Sequence, residues 1–295
     1  MSQQRLQFDN DAEFDSVFYV KKVNGQETTA INEIIGIIRS QLYYINKPSK
    51  IVREITDINE IDSHTLIIAI GGDGTMVYAA RLSSRTGATV MGVSLSKVGF
   101  LTDFTVDDLH GKQQIRSIFS KHETSTYPRE QRVMLSVTDA TSRFYATNEI
   151  SIANNNSDSV IDYTITVDGL GAGTHRANSV IVATPTGSTA YALSAGGAII
   201  YPSLNVLEIT PVAPITMSSR SIIVGGYSTI EISARVRDGG QISIRGDGRL
   251  ISTYNTANSE DAKAFTIKTD FNPATLLHTP NWNFFDVLTD KLGWN

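Results

Sequence analysis

Residues Leu66 to Ile70, Leu-Ile-Ile-Ala-Ile, run without a break into Gly71-Gly72-Asp73-Gly74-Thr75. Five consecutive apolar residues are too few for an independent helix and suit a strand buried on both faces of a parallel sheet. The turn that must follow is built from residues without a Cβ. Gly71, Gly72 and Gly74 can bring backbone N–H groups close to a ligand. Thr75 is placed to cap a helix over Met76 to Ser83, leaving the positive end of a helix dipole facing the loop. Such a loop favours an anion, most often phosphate.

Asp73 is the residue that does not fit a simple phosphate cradle. A carboxylate there is repelled by the ligand unless it holds a metal or takes a proton from a hydroxyl about to attack the phosphate. Both roles belong to phosphoryl transfer, and the plain alternative is a tight Gly-Asp-Gly turn. The chain has no G-x-x-x-x-G-K-[ST], and Val77 stands where a G-x-G-x-x-G run starting at Gly72 would need its third glycine.

Composition narrows the partners. A net charge of −5 over 295 residues offers no basic footprint for nucleic acid or anionic membrane, so a phosphate-bearing ligand must be caught locally. The absence of cysteine excludes disulfides, thiolate metal sites and cysteine nucleophiles. The first ten residues lack the apolar core of a signal peptide, and no apolar run approaches the ~20 residues needed to span a bilayer. The expectation is a cytoplasmic protein with small-molecule partners, neither nucleic acid nor membrane.

Two kinds of pattern divide the chain. Strands at Phe14 to Lys21, Ile51 to Ile55 and Thr89 to Val93 alternate with helices, the first over Thr28 to Tyr44 and followed by Lys47-Pro48. That alternation predicts an α/β domain with a parallel sheet over residues 1–110, carrying the glycine loop. From Arg132 onward the runs are short and β-rich, with turn signals at Asp168-Gly169, Asp238-Gly239-Gly240 and Asp247-Gly248, which predicts a mostly-β domain over 111–275. In the tail, Phe284, Val287, Leu288 and Leu292 share one helical face, and residues 276–295 are expected to pack back on the first domain.

Three further segments could carry chemistry. Thr184-Pro185-Thr186-Gly187-Ser188-Thr189-Ala190-Tyr191 sets four hydroxyls around one glycine, able to meet phosphate or sugar oxygens or simply to form turns and caps. Asn148-Glu149 could hold ribose hydroxyls and a base edge, or belong to a surface strand pair. Gly169 to Gly173 reads as a flexible hairpin. The five histidines show no ligand spacing, so no structural zinc site is expected.

Taken together, the chain resembles the NAD kinase family from about residue 15 to its end. The resemblance rests on Gly71-Gly72-Asp73-Gly74-Thr75, Gly99-Phe100-Leu101-Thr102-Asp103, Asn148-Glu149, Thr184 to Tyr191 with Ser194-Ala195-Gly196-Gly197, and Lys291-Leu292-Gly293-Trp294. The first motif is shared with diacylglycerol and sphingoid-lipid kinases; the Thr-Pro-Thr-Gly-Ser-Thr-Ala-Tyr run is far more specific. The resemblance implies a two-domain kinase that phosphorylates the adenosine ribose 2′-hydroxyl of NAD to give NADP. In it Asp73 is the general base and Gly72, Gly74, Thr75 and Phe100 belong to the phosphate region. Asn148 and Glu149 hold the adenosine, while Arg176, Asn178, Thr189, Ala190, Tyr191 and Ser194 line the dinucleotide site, in part across a subunit interface. The implied co-reactants are ATP or polyphosphate and a divalent cation, Mg²⁺, carried by donor phosphates, in a homodimer or homotetramer. Two departures stand out: Asn178 replaces an aspartate that touches the dinucleotide in the family, and Arg249 replaces a common glutamine. The competing readings are a lipid kinase and an NADP(H)-binding sensor without turnover.

Overall fold

The structure, a computed structural model, describes residues 14–21, 28–44, 52–95, 97–110, 117–119, 127–139, 142–155, 160–236, 239–256 and 262–294. The chain divides into two compact units, Met1–Gln131 with Ala274–Asn295, and Arg132–Pro273.

The first unit alternates β1 (Ser16–Lys21), α1 (Thr28–Tyr44), β2 (Val52–Glu54), β3 (Thr65–Ile70), α2 (Asp73–Thr86), β4 (Thr89–Val93) and α3 (Val106–His110). Its strands are parallel in the order β2-β1-β3-β4, and Thr275–Leu277 adds a further parallel strand beside β4. Every residue of β3 is buried, because the strand is paired on both edges and covered on both faces. Helix α1 buries Ile31, Ile34, Ile35, Ile38 and Leu42 in one stripe, each side chain contributing roughly 1.5–3 kcal/mol. Helix α2 lies so close to β4 that a Cβ on Gly92 would sit 2.7 Å from Met76 Sδ. Ile51, expected to open the second strand, and Lys47-Pro48 fall outside the described residues.

In the second unit, β7 (Glu149–Asn154), β10 (Ser179–Ala183), β11 (Val206–Val212), β12 (Ile222–Gly225), β14 (Gly240–Gly246) and β15 (Arg249–Thr256) form an antiparallel sheet in the order β12-β11-β10-β7-β14-β15. A second antiparallel layer runs β9 (Leu170–Ala177), β8 (Ile161–Val167), β13 (Ile230–Arg235) and the first residues of β16 (Lys263–Leu277). The remaining pair is β5 (Arg129–Thr138) and β6 (Arg143–Ala146). Ile150, Ile152, Val180, Val182, Leu207 and Ile209 from the first layer pack with Tyr163, Ile165, Ile232, Phe265 and Ile267 from the second in one core. The expected class, a parallel α/β portion followed by an antiparallel β portion, is the one observed.

The Gly169–Gly173 segment is more regular than a flexible hairpin. The turn is confined to Asp168 and Gly169, at φ 52° and 78°, and Gly171 and Gly173 already lie in β9. Two positive φ values in succession are what a two-residue hairpin turn requires, and Asp-Gly supplies them at little strain. The C-terminal helix, Phe284–Leu292, buries Phe284 and Leu288 but leaves Leu292 exposed. Asn283 caps it by accepting the Phe285 N–H at 3.0 Å. Among the described residues, no helix is long and apolar enough to cross a membrane.

Candidate active site

In the first unit, the chain leaves β3 through Gly71, whose φ of 151° favours glycine and whose N–H bonds Val93 O at 2.9 Å. The helix expected from Met76 under a Thr75 cap instead begins at Asp73, with Gly72 as N-cap in extended backbone and no side-chain cap. The Gly72 carbonyl takes the first helical bonds, from Thr75 N at 2.9 Å and Met76 N at 3.3 Å, and glycine supplies no side chain to accept the other N–H groups of the first turn. Among the described residues, the N–H groups of Gly72, Asp73 and Gly74 have no protein acceptor. They are the open donors of a fourteen-residue helix at its positive end.

Asp73 is fixed from the other side. Its Oδ2 accepts the Phe100 N–H at 2.9 Å and its Oδ1 accepts the Leu101 N–H at 3.0 Å. Close approach is possible only because residue 99 is glycine: a Cβ there would lie 2.0 Å from Asp73 Oδ1. Each carboxylate oxygen keeps a lone pair for another partner. Phe100 thus contributes through its backbone, not its ring.

A cavity of ≈ 590 Å³ opens beside this loop, lined by Val20, Lys21, Glu54, Ile55, Gly72, Gly74, Thr75 and Tyr78. Lys21 is the one cation among these residues, at the carboxyl end of β1, and it pairs with Glu54 at 3.0 Å. That bond and the Glu54 charge hold the Lys21 ammonium above its usual range. Carboxyl ends of parallel strands are where open α/β sheets bind ligands.

The second unit gathers Asn148, Glu149 and the Thr184–Tyr191 segment. Strand pairing sets Glu149 beside Ala183, so both segments leave the sheet at the same edge. Gly187 permits the contact, since a Cβ on it would lie 2.1 Å from Asn148 O. The hydroxyls expected to meet a ligand are largely committed to the protein. Thr184 Oγ1 donates to Thr147 O at 2.7 Å and accepts the Gly187 N–H at 3.1 Å, while Ser188 Oγ donates to Pro185 O at 2.7 Å and accepts the Ile200 N–H at 3.0 Å. Buried Arg132 donates to Thr186 Oγ1 at 3.3 Å, and Thr189 Oγ1 donates to Thr186 O at 3.3 Å.

The unpartnered groups lie next door. Asn148 Oδ1 and Glu149 Oε2 are both buried without a hydrogen bond. Glu149 is 4% exposed, which rules out the surface strand pair. Burial, with the Asp247 charge adding to it and the Gly248 N–H opposing, pushes the Glu149 carboxyl up to about 7. Buried acceptors without donors cost free energy and mark places where a ligand can supply them.

Asp247 shapes this edge although its sequence context reads only as a turn. At φ 50° it turns between β14 and β15 and accepts Thr147 N at 3.0 Å and Asn148 N at 2.7 Å, fixing the backbone that aims Asn148. Its Asp-Gly turn was visible in the sequence; the reach of its carboxylate across about a hundred residues was not.

Of the remaining candidates, Arg176 and Asn178 are not brought to this edge. Asn178 immediately precedes β10 and Thr184 follows its end, so six residues of extended chain, roughly 20 Å, separate them, while Arg176 lies on β9. Arg176 Nε bonds Asp162 Oδ1 at 2.7 Å, and Asn178 is exposed. Thr189 and Ala190 are half-buried, while Tyr191 and Ser194, on the short helix Tyr191–Ser194, are exposed.

Both halves have counterparts among known proteins. Residues 17–123 match the ATP-NAD kinase N-terminal domain family and residues 147–257 match the ATP-NAD kinase C-terminal domain family. The NAD kinase of Thiobacillus denitrificans is 33% identical over 255 residues, 81% of this chain and 82% of that protein. The NAD kinase of Tolumonas auensis is 30% identical over 298 residues, 96% of this chain and 97% of that protein. Among solved structures, yeast NADH kinase complexed with NADH superposes with a TM-score of 0.79 at 19% identity, over 97% of this chain and 89% of that one. An NAD kinase from Archaeoglobus fulgidus in complex with ATP gives 0.69 at 22% identity, over 94% and 97%. At such identities the structural likeness establishes the fold.

Proposed function

Because this chain belongs to the NAD kinase family, we propose that it phosphorylates the adenosine ribose 2′-hydroxyl of NAD, with Asp73 as the general base. The observation that carries this reading is a carboxylate held rigidly by two backbone N–H groups beside amides that have no protein acceptor. In the proposed step the 2′-hydroxyl proton passes to Asp73 as the 2′-oxygen forms a bond to the donor's terminal phosphorus. The bond from that phosphorus to its leaving oxygen breaks. Little covalent chemistry falls to the protein, so its contribution is position and charge. The amides of Gly72 and Gly74 are suited to donor phosphates, and the buried acceptors Asn148 Oδ1 and Glu149 Oε2 are suited to the hydroxyls and amine of adenosine.

The donor is ATP or polyphosphate, accompanied by Mg²⁺. Among the described residues, no group of three or more His, Asp or Glu could hold a metal ion, and both Asp73 oxygens already accept N–H groups. That residue set suits an ion held chiefly by the donor's own phosphates, where it would neutralise charge on the transferred group. Arg176 and Asn178 join the dinucleotide site in this reading by facing it from a second copy of the chain, since about 20 Å of strand separates Asn178 from Thr184 and Arg176 lies on the preceding strand, β9.

The test is to incubate the protein with NAD or NADH, Mg²⁺ and a panel of ATP and polyphosphate, then follow NADP(H) with a coupled dehydrogenase. NADP(H) formation is expected. Tight dinucleotide binding by calorimetry without turnover on any donor would replace the kinase with a sensor.

A further inference from the structure

Outside the residues assigned so far, the first unit contains a charged cluster that is almost fully enclosed. His278 is 1% exposed and lies between two carboxylates, with Nδ1 3.3 Å from Asp103 Oδ2 and Nε2 3.1 Å from Glu130 Oε2. Both ring nitrogens can donate at once only in the imidazolium form. The ring stacks on Trp282 at 4.1 Å, and its own N–H bonds Pro128 O at 2.9 Å, so it has little freedom to turn. Thr279 donates twice to Asp103 Oδ2, from its N–H at 2.7 Å and its hydroxyl at 3.2 Å. Asp103 Oδ1 is buried with no hydrogen bond, so the charge on this carboxylate is met almost wholly through Oδ2.

Asp103 closes the loop that holds Asp73. One end of that loop is tied to the sheet, where Ser94 N bonds Phe104 O at 2.8 Å and Phe104 N bonds Gly92 O at 3.1 Å. Its turn is tied internally, Gly99 N donating to both Thr102 O and Thr102 Oγ1 at 2.8 Å. Between those ties lie the Phe100 and Leu101 N–H groups that bond the Asp73 carboxylate. A further restraint comes from residues 278–279, far away in sequence.

We propose that His278, clamped by Asp103 and Glu130, is a positioning residue for phosphoryl transfer: it sets residues 99–103 so that their backbone aims the Asp73 carboxylate. The proposal rests on the reading of Asp73 as the proton acceptor. A buried imidazole held between two carboxylates is costly to disturb, because removing one member leaves a buried polar group without its partner. Rigid support of this kind is what a base needs, since a misplacement near 1 Å can cost about 10²-fold in rate.

His278→Gln and the milder Glu130→Gln test it, by steady-state kinetics and by hydrogen exchange at the Phe100 and Leu101 amides. Each variant is expected to lower kcat about 10- to 100-fold with the KM for NAD within about twofold. Each should also lose exchange protection at those two amides. In an Asp73→Asn background the same substitutions should change the residual rate by less than about twofold, because the residue they act through is gone. Unchanged kcat, or a fall in kcat with full protection at residues 100 and 101, overturns the proposal. Should His278→Gln fail to fold, Glu130→Gln decides by the same two readouts. If wild-type protein makes no NADP from any donor, the kinase reading fails, and the exchange measurement alone decides whether the cluster sets the loop.

Discussion

The glycine loop of the first unit and the hydroxyl-rich loop of the other unit are similar in sequence, both small polar residues after a buried strand, yet they use their polar groups in opposite ways. Around Asp73 the side chain is bonded by the protein and the backbone donors of Gly72, Asp73 and Gly74 are left open. Around Gly187 the hydroxyls of Thr184 and Ser188 are bonded by the protein, and the open groups are side-chain oxygens on the neighbouring segment, Asn148 and Glu149. A run of polar residues therefore says that a site is near without saying which atoms face the ligand. In both places one glycine makes the arrangement possible, Gly99 against a carboxylate and Gly187 against a backbone carbonyl.

Substituting each glycine sharpens that contrast. Of the two, Gly99→Ala has the larger expected effect on activity. Its Cβ would lie 2.0 Å from Asp73 Oδ1, so the carboxylate must move, and kcat should fall about 10³-fold while the melting temperature shifts little. Equal activity would mean that the aim of Asp73 does not matter. Gly187→Ala meets backbone, the Asn148 carbonyl at 2.1 Å, which cannot swing aside as a side chain can. It should destabilise the protein by about 3 kcal/mol in urea titrations and weaken dinucleotide binding along with it. A stable variant with normal binding would break the link between the two segments.

Glu149 gives a smaller effect with a definite sign. Its folded pKa of about 7 lies above the ordinary glutamate value of 4.5, so the folded state holds the proton more tightly. Stability from this group is therefore full below about pH 4.5 and declines as pH rises to about 7. Urea unfolding at pH 5 and pH 8 should show the wild type losing about 2–3 kcal/mol more than Glu149→Gln across that window. Parallel pH curves for the two proteins would remove the buried charge from the account. Smallest is Ser188→Ala, expected to cost about 1 kcal/mol by leaving the Ile200 N–H without its acceptor, with turnover per folded molecule unchanged.

Much of this was legible in the sequence because it is local. The buried strand before Gly71, the amphipathic stripe of α1 and the Asp-Gly turns each declare themselves within a few residues. What was not legible depends on contacts across the fold. Gly99 stands 26 positions from Asp73, and nothing in its neighbours says that its missing Cβ makes room for that carboxylate. Asp247 reads as a hairpin turn until its bonds to Thr147 and Asn148 are seen. Strands β9 and β15 are hard to read from sequence because both present mainly exposed or half-exposed side chains and lack the apolar alternation that marks a strand with one buried face. The Thr75 cap failed because the helix starts two residues earlier, at Asp73, which puts Thr75 inside the first turn with Gly72 as N-cap.

The most direct measurement is turnover and NAD affinity of Asp73→Asn beside the wild type, with Mg²⁺ and the preferred donor. The amide keeps the size of the side chain but cannot take the 2′-hydroxyl proton. NADP formation should fall at least about 10³-fold, with calorimetric NAD affinity and the melting transition close to wild type. Turnover retained within about tenfold would contradict the assignment of Asp73 as the base.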